Sequence, residues 1–257
     1  MSNQLKSTIK HSILSRIYSK RVNIKLKEAV FSFTFDDVPL SGAKNGSRIL
    51  ENYGARGTYY ISSKLNKSNP PNPERLYNIG ENTIFATDED IKDLHEKGHE
   101  IACHSYSHML QSRMKCQDVV DDCLRNKRAI KELLGSEPRN YCYPYGDINI
   151  KSKKFLGYEY QTMRTVISGI NSRNTDLSML KAVSLSSCSL EKSEIKKLVL
   201  ENIKTKGWLI FFTHDICEIP SPWGTTLDDF NWCVRLVALS GCKIMTINNA
   251  ISEINRK

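Results

Sequence analysis

Three apolar runs in the chain end on residues able to hold a cation or move a proton. Phe31-Ser32-Phe33-Thr34-Phe35 stops at Asp36-Asp37, Glu100-Ile101-Ala102-Cys103 runs into His104-Ser105-Tyr106-Ser107-His108, and Trp208-Leu209-Ile210-Phe211-Phe212-Thr213 ends at His214-Asp215. Two imidazoles four residues apart on one helical turn can reach one ion, and with a carboxylate they make the open three-ligand set of a catalytic metal. Adjacent residues of an extended segment point in different directions, so one of Asp36 and Asp37 could bind a metal while the other accepts a proton. His214, at a strand end, is a candidate general acid; a hydrogen-bonded structural histidine is the plainer alternative. Tyr143-Pro144-Tyr145-Gly146-Asp147 adds a sharp bend able to aim a backbone N–H into the same place. Upstream, His95-Glu96-Lys97-Gly98-His99 has the letters of a zinc-protease motif, which requires both histidines on one continuous helix. Thr87 and Asp90 instead form a capping box for a short helix through Ile91 and Leu94 that Gly98 terminates, which leaves His99 outside it.

The elements that must position these residues alternate short β-branched or aromatic runs with longer helical patterns, the order of βα units on a parallel sheet. The strand runs are Ala29–Phe35, Thr58–Ile61, Glu100–Cys103, Tyr141–Tyr143, Tyr160–Val166, Trp208–Thr213 and Lys243–Ile247. Helices are expected from Cys116 to a stop at Gly135, from Leu190 to Lys206 before Gly207, and from Leu227 to Ser240 before Gly241. Seven strands with crossover helices predict a barrel-like α/β fold, in which carboxylates at the C-terminal rim of a strand sit where barrel enzymes do chemistry. Ser62–Ala86, with Asn69-Pro70-Pro71-Asn72-Pro73, has no sustained period and reads as a long loop, either a lid or a surface insertion.

The chain has 257 residues, 40% hydrophobic and 25% charged, which suits one large domain and argues against disordered, collagen-like and coiled-coil classes. Eight cysteines without a C-x-x-C pair or an export signal read as reduced, mostly buried thiols. Lys plus Arg number 37 against 28 Asp plus Glu, a net charge of +9 that favours anionic partners. The excess is densest in residues 1–28, where Leu5, Ile9, Ile13, Leu14 and Ile17 recur at helical spacing among Lys6, Lys10, Arg16, Lys20 and Arg21. That segment reads as a basic amphipathic helix, packed on the domain or lying on a membrane surface through residues 1–20. Residues 29–257 are expected to form the catalytic domain.

Taken in order, Thr34-Phe35-Asp36-Asp37, His104-Ser105-Tyr106-Ser107-His108, Tyr143-Pro144-Tyr145-Gly146 and Phe212-Thr213-His214 resemble the motifs of the polysaccharide deacetylase family, the NodB-type carbohydrate esterases. The resemblance spans residues 29–250, and Gly98-His99-Glu100-Ile101 resembles the family's approach to its H-S-x-x-H motif. It implies a distorted (β/α)7 barrel that hydrolyses N-acetyl or O-acetyl groups on sugars with one divalent metal, usually zinc, with cobalt or nickel as alternatives. Carried over by position, Asp37, His104 and His108 would bind the metal and Asp36 would be the general base. His214 would protonate the leaving amine, and the backbone N–H of Tyr145 would hold the oxyanion. Two departures stand out. Cys142 occupies the place of an arginine that orients the base, for which Arg164 on a neighbouring strand could substitute. The aspartate that tethers the acidic histidine has no obvious counterpart, with Asp215 and Asp176 as candidates.

The resemblance and the absence of an export signal together predict a cytoplasmic enzyme, peripheral at the inner membrane face. Its expected substrate is an N-acetylated carbohydrate, phosphorylated or lipid-linked, in bacterial surface polysaccharide biosynthesis, and no nucleic acid. Trp223 is a candidate to stack on a sugar ring or to cap the barrel. A hydrolase of non-sugar amides and a catalytically impaired sugar-binding descendant are the alternatives.

Overall fold

Seven consecutive buried residues, Val30–Asp36, form the central strand β2 of the computed structural model, which describes residues 17–66, 84–188 and 191–255. Strand alternation sends Phe31, Phe33 and Phe35 into the apolar layer under the helices, and carries Val30, Ser32 and Asp36 to the barrel interior. Although β2 is covered on both faces, it alternates Phe31, Phe33 and Phe35 with Ser32, Thr34 and Asp36, because its inner face carries the small and polar side chains that lead to the site.

Beside it lie β3 (Thr58–Ile61), β4 (Glu100–Cys103), β5 (Asn140–Cys142), β6 (Thr162–Arg164), β8 (Val183–Ser184) and β9 (Trp208–Thr213). The order is β6-β5-β4-β3-β2-β9-β8, all parallel, and β10 (Lys243–Ile244) pairs with the start of β2. The residues after β6 close the sheet. Leu180 N–H donates to Met163 O and Thr165 N–H to Leu180 O, both at 2.9 Å, while Leu185 N–H donates to Phe212 O across the gap. A short segment thus pairs with β6 at one end and β9 at the other, which makes the barrel distorted. A separate antiparallel pair, β1 (Arg21–Ile24) with β7 (Arg173–Asp176), packs outside it.

The helices are α1 (Ser47–Asn52), α2 (Ser63–Asn66), α3 (Asp88–Glu96), α4 (Cys116–Leu134), α5 (Ile150–Glu159), α6 (Lys192–Thr205), α7 (Leu227–Ala238) and α8 (Ile247–Asn255). α4 buries Val119, Cys123 and Ile130 and ends on Gly135 at φ +73°, the left-handed cap that only glycine adopts without strain. The expected Lys243–Ile247 strand is cut short because Ile247 already begins α8. Tyr160–Val166 contracts to Thr162–Arg164, since Tyr160 N–H still bonds the last turn of α5 through Leu156 O. The expected N-terminal helix falls mostly on residues 1–16, outside the described residues, as does 67–83 of the long loop. Among the described residues no helix is long and apolar enough to cross a membrane.

His99 lies beyond the end of α3, as the Gly98 stop requires, and serves the fold. Its Nδ1 accepts from Gly57 N–H and its Nε2 donates to Glu51 Oε1, each at 3.0 Å. Only the neutral ring can do both, and burial holds its pKa below 6.5 despite Glu51. The unfolded chain therefore binds this proton more readily, and stability is lost as pH falls from the unfolded value through the depressed folded one. Thermal unfolding of the protein should show a midpoint that drops between neutral and mildly acidic pH, and His99→Gln should flatten part of that slope. An unaltered slope in the variant would remove His99 from the account.

Candidate active site

The C-terminal ends of β2, β4, β5, β6 and β9 converge on one cleft of about 590 Å³. Asp36 is the last residue of β2, and Asp37 follows at φ +58°, a left-handed turn that swings the second carboxylate away from the first. His104 and His108 do not share a helical turn, contrary to the sequence expectation. Residues 104–108 form a loop in which Ser105 and His108 take positive φ, and His108 N–H donates to Ser105 Oγ at 3.1 Å. Asp122 of α4 secures the loop by accepting from Tyr106 N–H and Ser107 N–H. The loop brings the rings to 4.9 Å between centroids, so the convergence expected of a helix arises from a strained loop.

One donor atom each from Asp37, His104 and His108 lie within 4.8 Å of one another. His104 Nδ1 is 2.8 Å from Cys142 O, and a carbonyl can only accept, so Nδ1 carries the proton and Nε2 keeps its lone pair. That nitrogen faces Asp37 Oδ1 at 3.6 Å, with His108 Nε2 at 3.1 Å from the same oxygen. Burial pushes the imidazole pKa down to about 4 at His104 and about 3 at His108, so both rings are neutral at pH 7. Burial also raises Asp37, with His104 and His214 offsetting it only in part, and its Oδ1 accepts no hydrogen bond among the described residues. A buried carboxylate oxygen facing two neutral imidazoles, one of them with its Nε2 lone pair free, is a set of metal-donor atoms. It fits a divalent cation, and two imidazoles with one carboxylate suit zinc, cobalt or nickel.

Asp36 has the opposite setting. Burial would raise its pKa, yet the Arg164 guanidinium outweighs it, aided by His104 and His214, and holds the carboxyl below its usual range. Arg164 is fully buried, ion-pairs with Asp36 Oδ1, donates to Thr165 O, and lies against the rings of Tyr60 and Phe212. In the β5/β6 register Arg164 stands directly beside Cys142, whose Sγ is 2.7 Å from the guanidinium and 3.8 Å from Asp36 Oδ2. Burial drives the Cys142 thiol far above its usual range, so it remains protonated.

His214 follows β9 and points Nε2 toward Asp37 Oδ2 at 3.8 Å. Its backbone is packed so tightly that a Cβ on Gly42 would lie 2.2 Å from His214 O. Neither candidate tether reaches its ring. Asp215 accepts from Ser221 N–H and Ser221 Oγ, Asp176 pairs with Lys153, and His214 Nδ1 has no hydrogen-bond partner among the described residues. Asp215 acts on the neighbouring loop, which sets Trp223 6.5 Å from the His214 ring on the cleft wall. Tyr145 sits at φ +58° on the opposite side, where its hydroxyl lies 3.1 Å from His108 Nδ1. Sequence reading missed that side-chain contact and the roles of Cys142 O and Sγ, because no motif marks what a loop turned through positive φ will touch.

The polysaccharide deacetylase family model matches residues 23–161. A peptidoglycan deacetylase of Helicobacter pylori is 27% identical over 152 residues, 57% of this chain and 46% of its own length. A bifunctional xylanase/deacetylase of Pseudobutyrivibrio xylanivorans is 25% identical over 122 residues, 48% of this chain and 17% of its own length. The chain thus spans less than half of either curated relative. Among solved structures, the CE4 domain of a multidomain xylanase from a Trinervitermes trinervoides hindgut metagenome superposes with a TM-score of 0.58 at 17% identity, covering 88% of this chain and 91% of that one. The family model covers more than half of the chain, including the strand ends that carry Asp36, Asp37, His104 and His108, and this chain belongs to the polysaccharide deacetylase family.

Proposed function

We propose that this protein is a metal-dependent N-deacetylase of a sugar. The observation that carries the reading is the pairing of two unlike carboxylates: Asp37 in a donor set suited to a cation, and Asp36 kept ionised by Arg164. A divalent cation held by Asp37, His104 and His108 would polarise the acetyl carbonyl and acidify a water. Asp36 takes the proton of the attacking water, and Arg164 holds its carboxylate in place without competing for that proton. The backbone N–H of Tyr145 donates to the oxygen that becomes anionic. His214 delivers a proton from Nε2 to the amide nitrogen as the C–N bond breaks, so that acetate and a free amine leave. Trp223 and the ring of Tyr145 bracket the sugar from opposite walls of the cleft.

The net charge of +9 supports a phosphorylated substrate, a nucleotide sugar or a lipid-linked glycan intermediate of bacterial surface polysaccharide biosynthesis, handled at the cytoplasmic face of the membrane. A second reading, a sugar-binding protein with impaired turnover, is favoured by one observation: His214 Nδ1 has no hydrogen-bond partner among the described residues.

Zinc-loaded protein should release acetate from N-acetylated sugars, tested on nucleotide sugars and short oligosaccharides, and a chelator should stop it. Stoichiometric metal with no release from any substrate would favour the binding reading. Asp36→Asn should lower kcat by about 10²–10⁴-fold while metal content stays unchanged, the usual worth of a general base. Full activity in that variant would refute the assignment. Arg164→Cys should be strongly impaired, and adding Cys142→Arg should restore a measurable part of kcat, since the guanidinium then approaches Asp36 from the adjacent strand. Equal activity of the single and double variants would contradict the positioning role of Arg164.

A further inference from the structure

The outward face of α5 carries Lys151, Lys154, Phe155 and Tyr158, spaced i, i+3, i+4 and i+7, so that all four share one stripe. The inward face is the one that packs: Ser152, Lys153 and Leu156 are buried. Phe155 is 51% exposed and Tyr158 78%, beside Tyr18 at 49%, whose ring lies 5.5 Å from Lys154 Nζ. Isolated exposed aromatics need no explanation, but three grouped with lysines and without an acidic partner for Lys151 or Lys154 among the described residues form a patch of definite chemistry.

Where this stripe stands gives it meaning. α5 starts shortly after the turn that sets Tyr145 on the cleft wall, so its first turn, with the half-exposed Ile150, stands at the same end of the barrel as the cleft. At its other end Lys20 Nζ donates to Gly157 O and Tyr160 O, and Lys153 Nζ donates to Ile17 O. The chain is therefore latched against α5 where residues 1–16 join it. Those residues bring Lys6, Lys10 and Arg16 among Leu5, Ile9, Ile13 and Leu14. Basic and aromatic groups thus lie together on the outward face of α5 and at Tyr18.

We propose that the α5 stripe with Tyr18 docks this protein on an anionic lipid bilayer. Aromatic rings that are apolar in body and polar at one edge settle at the headgroup level, and lysines beside them are attracted to acidic headgroups. A bilayer is favoured over a folded protein partner because the stripe sets large exposed rings beside two lysines that have no acidic partner among the described residues, while Glu159, one turn beyond Phe155, is already paired with Lys127. The docking would bring the cleft rim beside the membrane, within reach of a glycan carried on a lipid. It does not depend on the deacetylase reading, because vesicle binding needs neither metal nor turnover.

The test is sedimentation of the full-length protein with phosphatidylcholine vesicles and with phosphatidylcholine–phosphatidylglycerol vesicles, alongside circular dichroism to confirm that each variant is folded. The wild type should bind the acidic vesicles and lose affinity with added salt. Lys151→Glu/Lys154→Glu should weaken binding on the order of tenfold or more, given about 1 kcal/mol for each basic residue near the surface. Phe155→Ser/Tyr158→Ser should weaken it comparably even at low salt. Three outcomes would overturn the proposal: no binding by the wild type, binding unchanged in both folded double variants, or binding lost only on deleting residues 1–16. Self-association abolished by the stripe variants, without vesicle binding, would assign the surface to a second copy instead.

Discussion

A carboxylate and a guanidinium shut away from water inside a barrel are the constraint on which this site rests. Asp36 and Arg164 are each almost wholly buried, and either one alone would be a charge out of water with no partner. Together they satisfy each other, and breaking such a pair costs about 3–5 kcal/mol because one charge is left without a partner. The pair also sorts the two adjacent aspartates. Arg164 meets Asp36 directly, which keeps that group ionised and acceptor-only, whereas Asp37 turns away through positive φ toward two imidazoles. Two identical side chains, one residue apart, thereby acquire different chemistry from backbone direction and from the position of one cation.

The route by which that cation arrives follows from parallel-sheet register. Cys142 and Arg164 are direct neighbours on β5 and β6, so a charge absent from one strand can be supplied at the same height by the next. Arg164 then lies on Tyr60 and Phe212, which contribute apolar contact and favourable ring faces while keeping water out. The thiol of Cys142 fills the space between, touching both members of the pair, and its carbonyl fixes the proton of His104 on Nδ1. One residue that departs from the family pattern thus touches both the Asp36–Arg164 pair and His104. The same economy is missing at His214, whose Nδ1 stays buried and unpaired among the described residues.

The barrel was legible in the sequence wherever a strand is buried on both faces. Thr58–Ile61, Glu100–Cys103 and Trp208–Thr213 stand where their apolar runs place them, and the capping box at Thr87 and the stop at Gly98 disposed of a misleading histidine pair. Short or half-exposed elements escaped. β8 has two residues and β7 carries Arg173-Asn174-Thr175-Asp176, so neither offers a hydrophobic period to detect. α5 buries a lysine and a serine on its inner face and shows two aromatics outside, which inverts the usual amphipathic signal. In the site, the residue types and their order picked out side chains that the fold brings together: Asp36, Asp37, His104, His108 and His214 on one cleft, and Arg164 on Asp36. The loop geometry at Ser105 and His108, the tyrosine hydroxyl on His108 and the misplaced tethers depend on turns and on distances between strands, which local pattern does not carry.

The central claim is that Asp37, His104 and His108 form a cation site beside the buried base. A calorimetric titration of the metal-free protein with zinc tests it most directly, run on the wild type and on His104→Ala/His108→Ala. The wild type should take up one equivalent tightly, with uptake weakening at lower pH as protons compete for the same nitrogens, and the double variant should take up none at that site. Undiminished one-to-one binding in a folded double variant would contradict the account.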